Sequence, residues 1–223
     1  MNVLDIPCRR ENYGGHRGQD VRYLVVHYTA VPGDTAEHNG RYFARADTGK
    51  TSAHYFVDEH QIVRSVPEDY AAYHCGGSSY CHPACRNANS IGVELCTRGG
   101  PGNYFFAPGT LENARRLLRS LMDRYHIPAQ QVLRHYDVTG KCCPAPFVGA
   151  GQRAWERFKE GLTVYNTVED VPGWARHTVE KLVNWGVLAG DGQGNLDLSG
   201  DLVRVLVILD RLGILQKQEE EHG

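Results

Sequence analysis

Two histidines and a cysteine in this chain have the residue types and spacing of a metal site. His135 and Cys143 lie eight residues apart, across a loop that contains Gly140. A histidine and a thiolate at this spacing can share one ion only if a third ligand comes from elsewhere, and His27 is the obvious candidate. Three such ligands leave one tetrahedral position open, which is the arrangement of a catalytic zinc ion rather than a structural one.

The chemistry of such a site is hydrolysis. Zinc lowers the pKa of a water at the open position toward about 7 and polarises a substrate carbonyl. An isolated histidine is more often a surface or hydrogen-bonded residue than a ligand, so only the combination is informative. The residues alone also leave two thiols to choose between, because Cys142 directly precedes Cys143.

The elements that must position these residues alternate between strands and helices. A β-branched and aromatic segment, residues 21–28, predicts a buried strand that ends close to His27. The other predicted elements are a helix over 35–46 capped by Asp34, a hairpin of strands 52–58 and 61–66, a polar loop 76–89, a strand 90–96, helices 110–126 and 151–161, and a short strand 132–135.

This order predicts an α/β fold with a mixed central β-sheet flanked by helices, followed by a small α-helical C-terminal domain. Residues after 163 carry five Lys/Arg against ten Asp/Glu, whereas residues 1–163 carry nineteen against sixteen. We therefore expect two domains, 1–163 and 164–223. In the second, the apolar residues Leu202, Val205, Leu206 and Leu209 are expected to form core.

Composition excludes several classes of protein. The chain is 41% hydrophobic and 22% charged, which is typical of a globular protein, and its net charge of −2 gives no general attraction to nucleic acid. No apolar run approaches the roughly 18 residues of a membrane span. The N-terminal residues lack the continuous apolar region of a secretory signal, so we expect synthesis in the cytoplasm without a signal peptide.

Five motifs carry a resemblance to a known family. They are VVHYTA at 25–30, SAHYFV at 52–57, AAYH at 71–74, SIGVEL at 90–95 and HYDVTGKCCP at 135–144. Together, over roughly residues 20–160, the chain resembles the type-2 N-acetylmuramoyl-L-alanine amidases. That family includes phage endolysins and bacterial autolysins, and it shares its fold with the peptidoglycan recognition proteins.

The resemblance implies that His27, His135 and Cys143 bind Zn²⁺, and that the substrate is bacterial peptidoglycan, cut between the muramic acid lactyl group and L-alanine. The family pattern Lys, any residue, Cys, Pro places the sulfur ligand at Cys143 rather than Cys142. Glu94 is the expected general base, since water needs a proton acceptor; a solvent-facing strand position is the alternative. Lys141 is expected to stabilise the developing oxyanion, or else to be an exposed loop lysine.

Two further histidines lie in these motifs. His74 resembles a family histidine near the cleft and is expected to contact substrate or the tetrahedral intermediate. His54, between aromatic neighbours, is expected to be a hydrogen-bonded core residue. Other branches of the family use a tyrosine at the position of Ala53, which makes Glu94 more important here. Cys75, Cys81 and Cys85 fit no common zinc spacing, and are expected to be thiols or a loop disulfide formed after release from the cell.

The tail is similar to a single S-layer-homology-like helical repeat, through residues 170–174, 188–192 and 198–204. Such a copy would bind cell wall weakly, form a homodimer, or pack on the first domain. The leading hypothesis is a phage or prophage endolysin that acts on the wall after release. The alternatives are a non-catalytic peptidoglycan-binding module and a muropeptide-recycling amidase; the recycling branch has an aspartate where this chain has Ala145.

Overall fold

The computed structural model describes residues 3–192 and 194–215. The chain divides into two compact units, Met1–Phe158 and Lys159–Gly223, so the division falls five residues before the one suggested by charge. Among the described residues, no helix is long and apolar enough to cross a membrane.

The first unit is built on a six-stranded mixed sheet. Its strands are β1 (Val3–Asp5), β2 (Tyr23–Pro32), β3 (Tyr55–Val57), β4 (Ile62–Arg64), β5 (Ser90–Thr97) and β6 (Val132–Arg134). Their order is β1-β4-β3-β5-β2-β6, and all neighbours are parallel except the predicted hairpin β3–β4. The predicted mixed sheet is thus confirmed, although the short edge strand β1 was not predicted.

Four helices accompany the sheet: α1 (Ala36–Arg45), α2 (Pro108–Tyr125), α3 (His135–Thr139) and α4 (Gln152–Glu160). Helix α1 packs against β3 and β4, and α2 packs against β5 and β3. The predicted cap of α1 was wrong. Thr35 caps it by accepting from the His38 N–H at 3.1 Å, whereas Asp34 accepts from the Thr97 N–H and from Asn39.

Strand β2 is longer than its sequence pattern suggested. It continues past His27 to Pro32, with a register irregularity between Tyr28 and Pro32, so that His27 lies inside the strand rather than at its end. Side chains alternate between the two faces of a sheet. Tyr23, Val25 and His27 therefore share one face, and Leu24 and Val26 point to the other.

The face that carries His27 is covered in two places. Near β3, the buried residues Phe56, Val63 and Cys96 pack with Ala36 of α1. Near β2, Tyr23 and Val25 pack with Val138 of α3. They also pack with two buried thiols, that of Cys85 within the polar loop 76–89 and that of Cys75 immediately before it. These two thiols thus pack the polar loop against the sheet.

The second unit pairs α5 (Gly173–Asn184) with α6 (Gly200–Arg211), beside a two-stranded ribbon of β7 (Val164–Tyr165) and β8 (Leu198–Ser199). Its buried core consists of Val171, Ala175, Val179, Leu198, Val203 and Val207. Gln193, in the segment between α5 and α6, lies outside the described residues.

The expected core stripe of α6 was wrong at two positions. Leu202 and Val205 are 42% and 50% exposed, and Ile208 and Leu212 extend the same exposed face. Val203 and Val207 instead point inward. The helix is apolar on more than one side, so its sequence did not identify the buried face.

Candidate metal centre and its surroundings

Three neighbouring elements bring the three candidate ligands together. His27 lies in β2, and β6 pairs with β2 in parallel, with Val26 opposite Arg134. His135, the residue after β6, consequently lies beside His27 at the first position of α3. Cys143 follows in the loop after α3, where its carbonyl accepts from the Tyr136 N–H at 2.8 Å. All three side chains are buried, and their ligand atoms lie within 4.8 Å of one another.

The arrangement fits zinc. The distance from His27 Nδ1 to Cys143 Sγ is 3.7 Å. Tetrahedral zinc with bonds of about 2.05 Å to nitrogen and 2.3 Å to sulfur places such a pair about 3.6 Å apart. His135 Nε2 lies 3.2 Å from the Gly76 carbonyl oxygen, which can only accept, so the Nδ1 of His135 is left for a metal. Cys142 is exposed and lies outside this group.

The protonation of the three groups also suits a metal. Burial, reinforced by the nearby His74 and His135, holds the pKa of His27 well below its ordinary value, and burial also lowers the pKa of His135. Both rings are therefore neutral, as ligands must be. Burial and the charge of Glu94 raise the pKa of the Cys143 thiol to about 12, against the opposing effect of Lys141. A cation at the site would reverse that shift by binding the thiolate.

Glu94 lies next to this group on the adjacent strand. It is paired in register with His27 across β5 and β2, so both side chains leave the same face of the sheet. Its Oε2 is buried and has no hydrogen-bond partner among the described residues. Burial raises the pKa of Glu94 to about 8, while the Lys141 ammonium opposes this rise. A carboxyl group whose pKa is raised toward neutrality, and whose buried oxygen has no hydrogen-bond partner, can accept and return a proton.

Lys141 lies in the exposed part of the loop, two residues before Cys143. Its positive charge lowers the pKa of Glu94 and of Cys143, and it also disfavours protonation of His27 and His135. The ammonium is therefore close enough to act on charge at the candidate metal centre.

His74, for which a substrate contact is expected, lies next to His27. It is buried, with Nδ1 at 3.0 Å from His27 Nε2 and Nε2 at 3.1 Å from Ser90 Oγ. Both of its ring nitrogens are thus engaged inside the protein. His54 is a hydrogen-bonded core residue, as predicted: it is fully buried, and its Nδ1 accepts from the Gly92 N–H at 2.9 Å.

Asp137 and the clustered cysteines do not join the metal group. The Asp137 carboxylate accepts from the backbone N–H and the guanidinium of Arg134, and this ion pair holds the start of α3. In and beside the polar loop, Cys75 and Cys85 are buried free thiols and Cys81 is exposed. Within the described parts of the chain, the group of His27, His135 and Cys143 is the one cluster suited to a metal ion.

Sequence reasoning missed two residues that lie against His74. Ser90 and Gly92 belong to the SIGVEL motif, yet only Glu94 was singled out from it. The hydroxyl of Ser90 and the missing side chain of Gly92 become meaningful only beside the ring of His74. The one available signal was the pair of small residues in an otherwise apolar strand.

The fold and the buried group of two histidines and a cysteine define a candidate metal site, and comparison with known proteins identifies the family. Residues 17–146 match the N-acetylmuramoyl-L-alanine amidase family, and the chain belongs to it. The match ends before the second unit, and nothing in the comparisons supports the S-layer-homology resemblance of the tail.

Individual relatives agree with this assignment. A probable N-acetylmuramoyl-L-alanine amidase of Bacillus licheniformis is 36% identical over 140 residues, which are 59% of this chain and 39% of that protein. A mutant endolysin from Bacillus subtilis superimposes with a TM-score of 0.60 at 28% identity, covering 73% of this chain and 99% of the other. The catalytic domain of XlyA gives a TM-score of 0.60 at 27% identity, covering 73% and 100%. The chain spans about two fifths of the length of the first curated relatives it matches.

Proposed function

We propose that this protein is a zinc-dependent endolysin that hydrolyses the amide between N-acetylmuramic acid and L-alanine in bacterial peptidoglycan. The observation that carries the proposal is the buried group of His27, His135 and Cys143, whose ligand atoms lie within 4.8 Å of one another beside Glu94. Family membership supports the substrate class. The structural similarity to an endolysin favours a phage or prophage origin.

His27, His135 and Cys143 would hold the metal, which, when bound, polarises the scissile carbonyl and acidifies water. Glu94 accepts the proton of the attacking water through its free oxygen and delivers it to the departing amine of L-alanine. Lys141 provides positive charge where the carbonyl oxygen becomes negative. Burial raises the pKa of Glu94, which favours its returning the proton as an acid.

The two alternatives have less support. A non-catalytic peptidoglycan-binding module lacks the metal cysteine, whereas Cys143 is here buried against His27. A muropeptide-recycling amidase would need an aspartate at residue 145. This chain has Ala145 there, at the start of a short 3-10 turn, and Cys143 supplies the third ligand atom instead.

Digestion of purified peptidoglycan tests the proposal. The wild type should release new L-alanine amino termini without new reducing sugar ends, and a chelator should stop the release. Glu94→Ala should abolish it, while Glu112→Ala, on the exposed side of α2, serves as the matched control. New reducing ends, or cleavage that is indifferent to metal, would contradict the proposal.

For the second unit we propose a role as a wall-binding or dimerisation module, because α6 exposes Val205, Ile208 and Leu212. The test uses the full chain carrying Val205→Asp and Ile208→Asp, compared with Arg211→Ala on the same helix. Loss of sedimentation with cell walls would indicate wall binding, and a halved mass in light scattering would indicate a dimer. An unchanged result in both assays would reject the module.

A further inference from the structure

A chain of hydrogen bonds runs from the candidate metal ligand His27 into the body of the protein. His27 Nε2 lies 3.0 Å from His74 Nδ1, and His74 Nε2 lies 3.1 Å from Ser90 Oγ. Ser90 Oγ in turn lies 2.7 Å from the carbonyl oxygen of Arg86. This chain begins at Nε2 of His27, whereas Cys143 Sγ faces the other ring nitrogen, Nδ1.

The direction of each hydrogen bond follows from its last member. A carbonyl oxygen can only accept, so the Ser90 hydroxyl donates its proton to Arg86. The Ser90 oxygen then accepts from His74 Nε2–H. In a neutral ring the other nitrogen is bare, so His74 Nδ1 accepts from His27 Nε2–H. The lone pair of His27 is thereby left on Nδ1, which is the nitrogen 3.7 Å from Cys143 Sγ.

The backbone around His74 is shaped to hold its ring in this place. A Cβ on Gly92 of β5 would lie 2.5 Å from His74 Cγ, so the ring packs directly on the strand. The backbone N–H of His74 donates to Asn87 Oδ1 at 3.1 Å, which anchors the chain before the polar loop. The ring of His74 is therefore packed between β5 and the candidate ligand His27.

We propose that His74 and Ser90 are positioning residues that hold the metal ligand His27 in its Nδ1-binding tautomer and orientation. The inference rests on the proposed function, since it assumes a metal at the His27 site. In place of the expected contact with substrate, the proposal gives His74 a hydrogen bond to the candidate metal ligand His27. Partners of this kind raise metal affinity because they fix both the ring and its protons before the ion arrives.

Zinc affinity of the full-length protein, measured by competition with a chromophoric chelator, tests the proposal. His74→Leu removes the acceptor for His27 Nε2–H, and we expect zinc to bind about 10- to 100-fold more weakly. His74→Asn should recover most of that loss, since its Oδ1 occupies the place of Nδ1 and accepts the same hydrogen bond. Ser90→Ala should weaken zinc binding less, because it removes only the constraint on the tautomer of His74.

Three results would overturn it. One is zinc affinity in His74→Leu equal to that of the wild type. A second is an equal loss in His74→Leu and His74→Asn, which would indicate packing alone. A third is a raised KM with unchanged zinc affinity, which would indicate a substrate contact. The melting temperatures of the metal-free variants are compared with that of the metal-free wild type, so that a misfolded variant is recognised. Ser90→Ala is the mildest of these changes. A wild type that binds no zinc would instead defeat the proposed function itself.

Discussion

His27 and Glu94 lie directly opposite each other on the neighbouring parallel strands β2 and β5. A candidate ligand and a candidate base are thus placed side by side by the register of the sheet rather than by a loop. A slip of one residue would send one of the two to the opposite face. Both strands lie in the interior of the sheet. We therefore expect that replacing Glu94 by a side chain of the same shape changes catalysis and leaves the metal group in place.

Glu94→Gln keeps the shape of the side chain and removes its ability to take a proton. We expect kcat to fall by about 10²- to 10⁴-fold, the usual contribution of a general base. Zinc content should stay at the wild-type level because this substitution leaves His27, His135 and Cys143 in place. Amino-terminus release and metal analysis of the same sample measure both. Substantial activity in this variant would exclude Glu94 as the base.

The two adjacent cysteines differ in burial and should differ in effect. Cys143→Ser should weaken zinc binding by more than the roughly 100-fold typical of supporting residues, because it removes a ligand. Cys142→Ser is the matched control and should bind zinc normally, since that thiol is exposed and outside the metal group. Equal losses in the two variants would contradict this assignment of the sulfur ligand.

Lys141→Met should lower kcat by about 10²- to 10³-fold if the ammonium stabilises the oxyanion. Lys141→Arg should retain part of the activity, because the charge remains while its position changes. Steady-state kinetics on peptidoglycan fragments distinguish an effect on kcat from one on KM. An effect on KM alone would indicate that Lys141 holds the ground-state substrate instead.

Gly92→Ala should disturb the ring of His74, since the added Cβ would lie 2.5 Å from its Cγ. We expect the free energy of unfolding to fall by about 1–3 kcal/mol, as for other overpacked sites, together with zinc affinity. Gly15→Ala is the control, because a Cβ there has no neighbour within 4 Å. Urea unfolding and chelator competition are the measurements. Normal zinc binding in Gly92→Ala would show that the site tolerates a displaced His74.

Acid stability should depend on Glu68, which lies away from the metal group. Burial raises the pKa of its carboxyl, but hydrogen bonds from Tyr125, Tyr55 and Arg124 outweigh burial and leave the pKa below its ordinary 4.5. Stabilisation by the ionised form is therefore present above pH 4.5 and is lost as the pH falls through the lowered pKa.

Glu68→Gln should accordingly be less stable than the wild type at pH 7 by about 1.5–3 kcal/mol, the usual value for hydrogen bonds to a charged group. The difference in free energy of unfolding between the wild type and Glu68→Gln should narrow as the pH falls below 4.5, the ordinary pKa of a glutamate. Urea unfolding at several pH values measures it, and Glu112→Gln, exposed on α2, is the control. A stability difference that does not change with pH would show that folding leaves the pKa of Glu68 unshifted.

Much of the fold could be predicted because its signals are local. The β3–β4 hairpin, helix α2 and strand β5 follow from alternation, helical period and turn residues in the sequence itself. The errors occurred where a local pattern was ambiguous. Thr35 and Asp34 are both good caps, β1 is only three residues long, and α6 is apolar on more than one side.

The sequence by itself determined which residues can do chemistry: two histidines, a cysteine, a glutamate and a lysine, in an order that resembles one family of hydrolases. Residue type sets what each group can bind or protonate, so this needed no coordinates. Only the tertiary structure decided how the groups meet. The register of β2 against β5 sets His27 beside Glu94, and burial distinguishes Cys143 from Cys142. The tertiary structure also placed His74 within hydrogen-bond distance of the candidate ligand His27, because contacts between residues distant in sequence exist only once the sheet has formed.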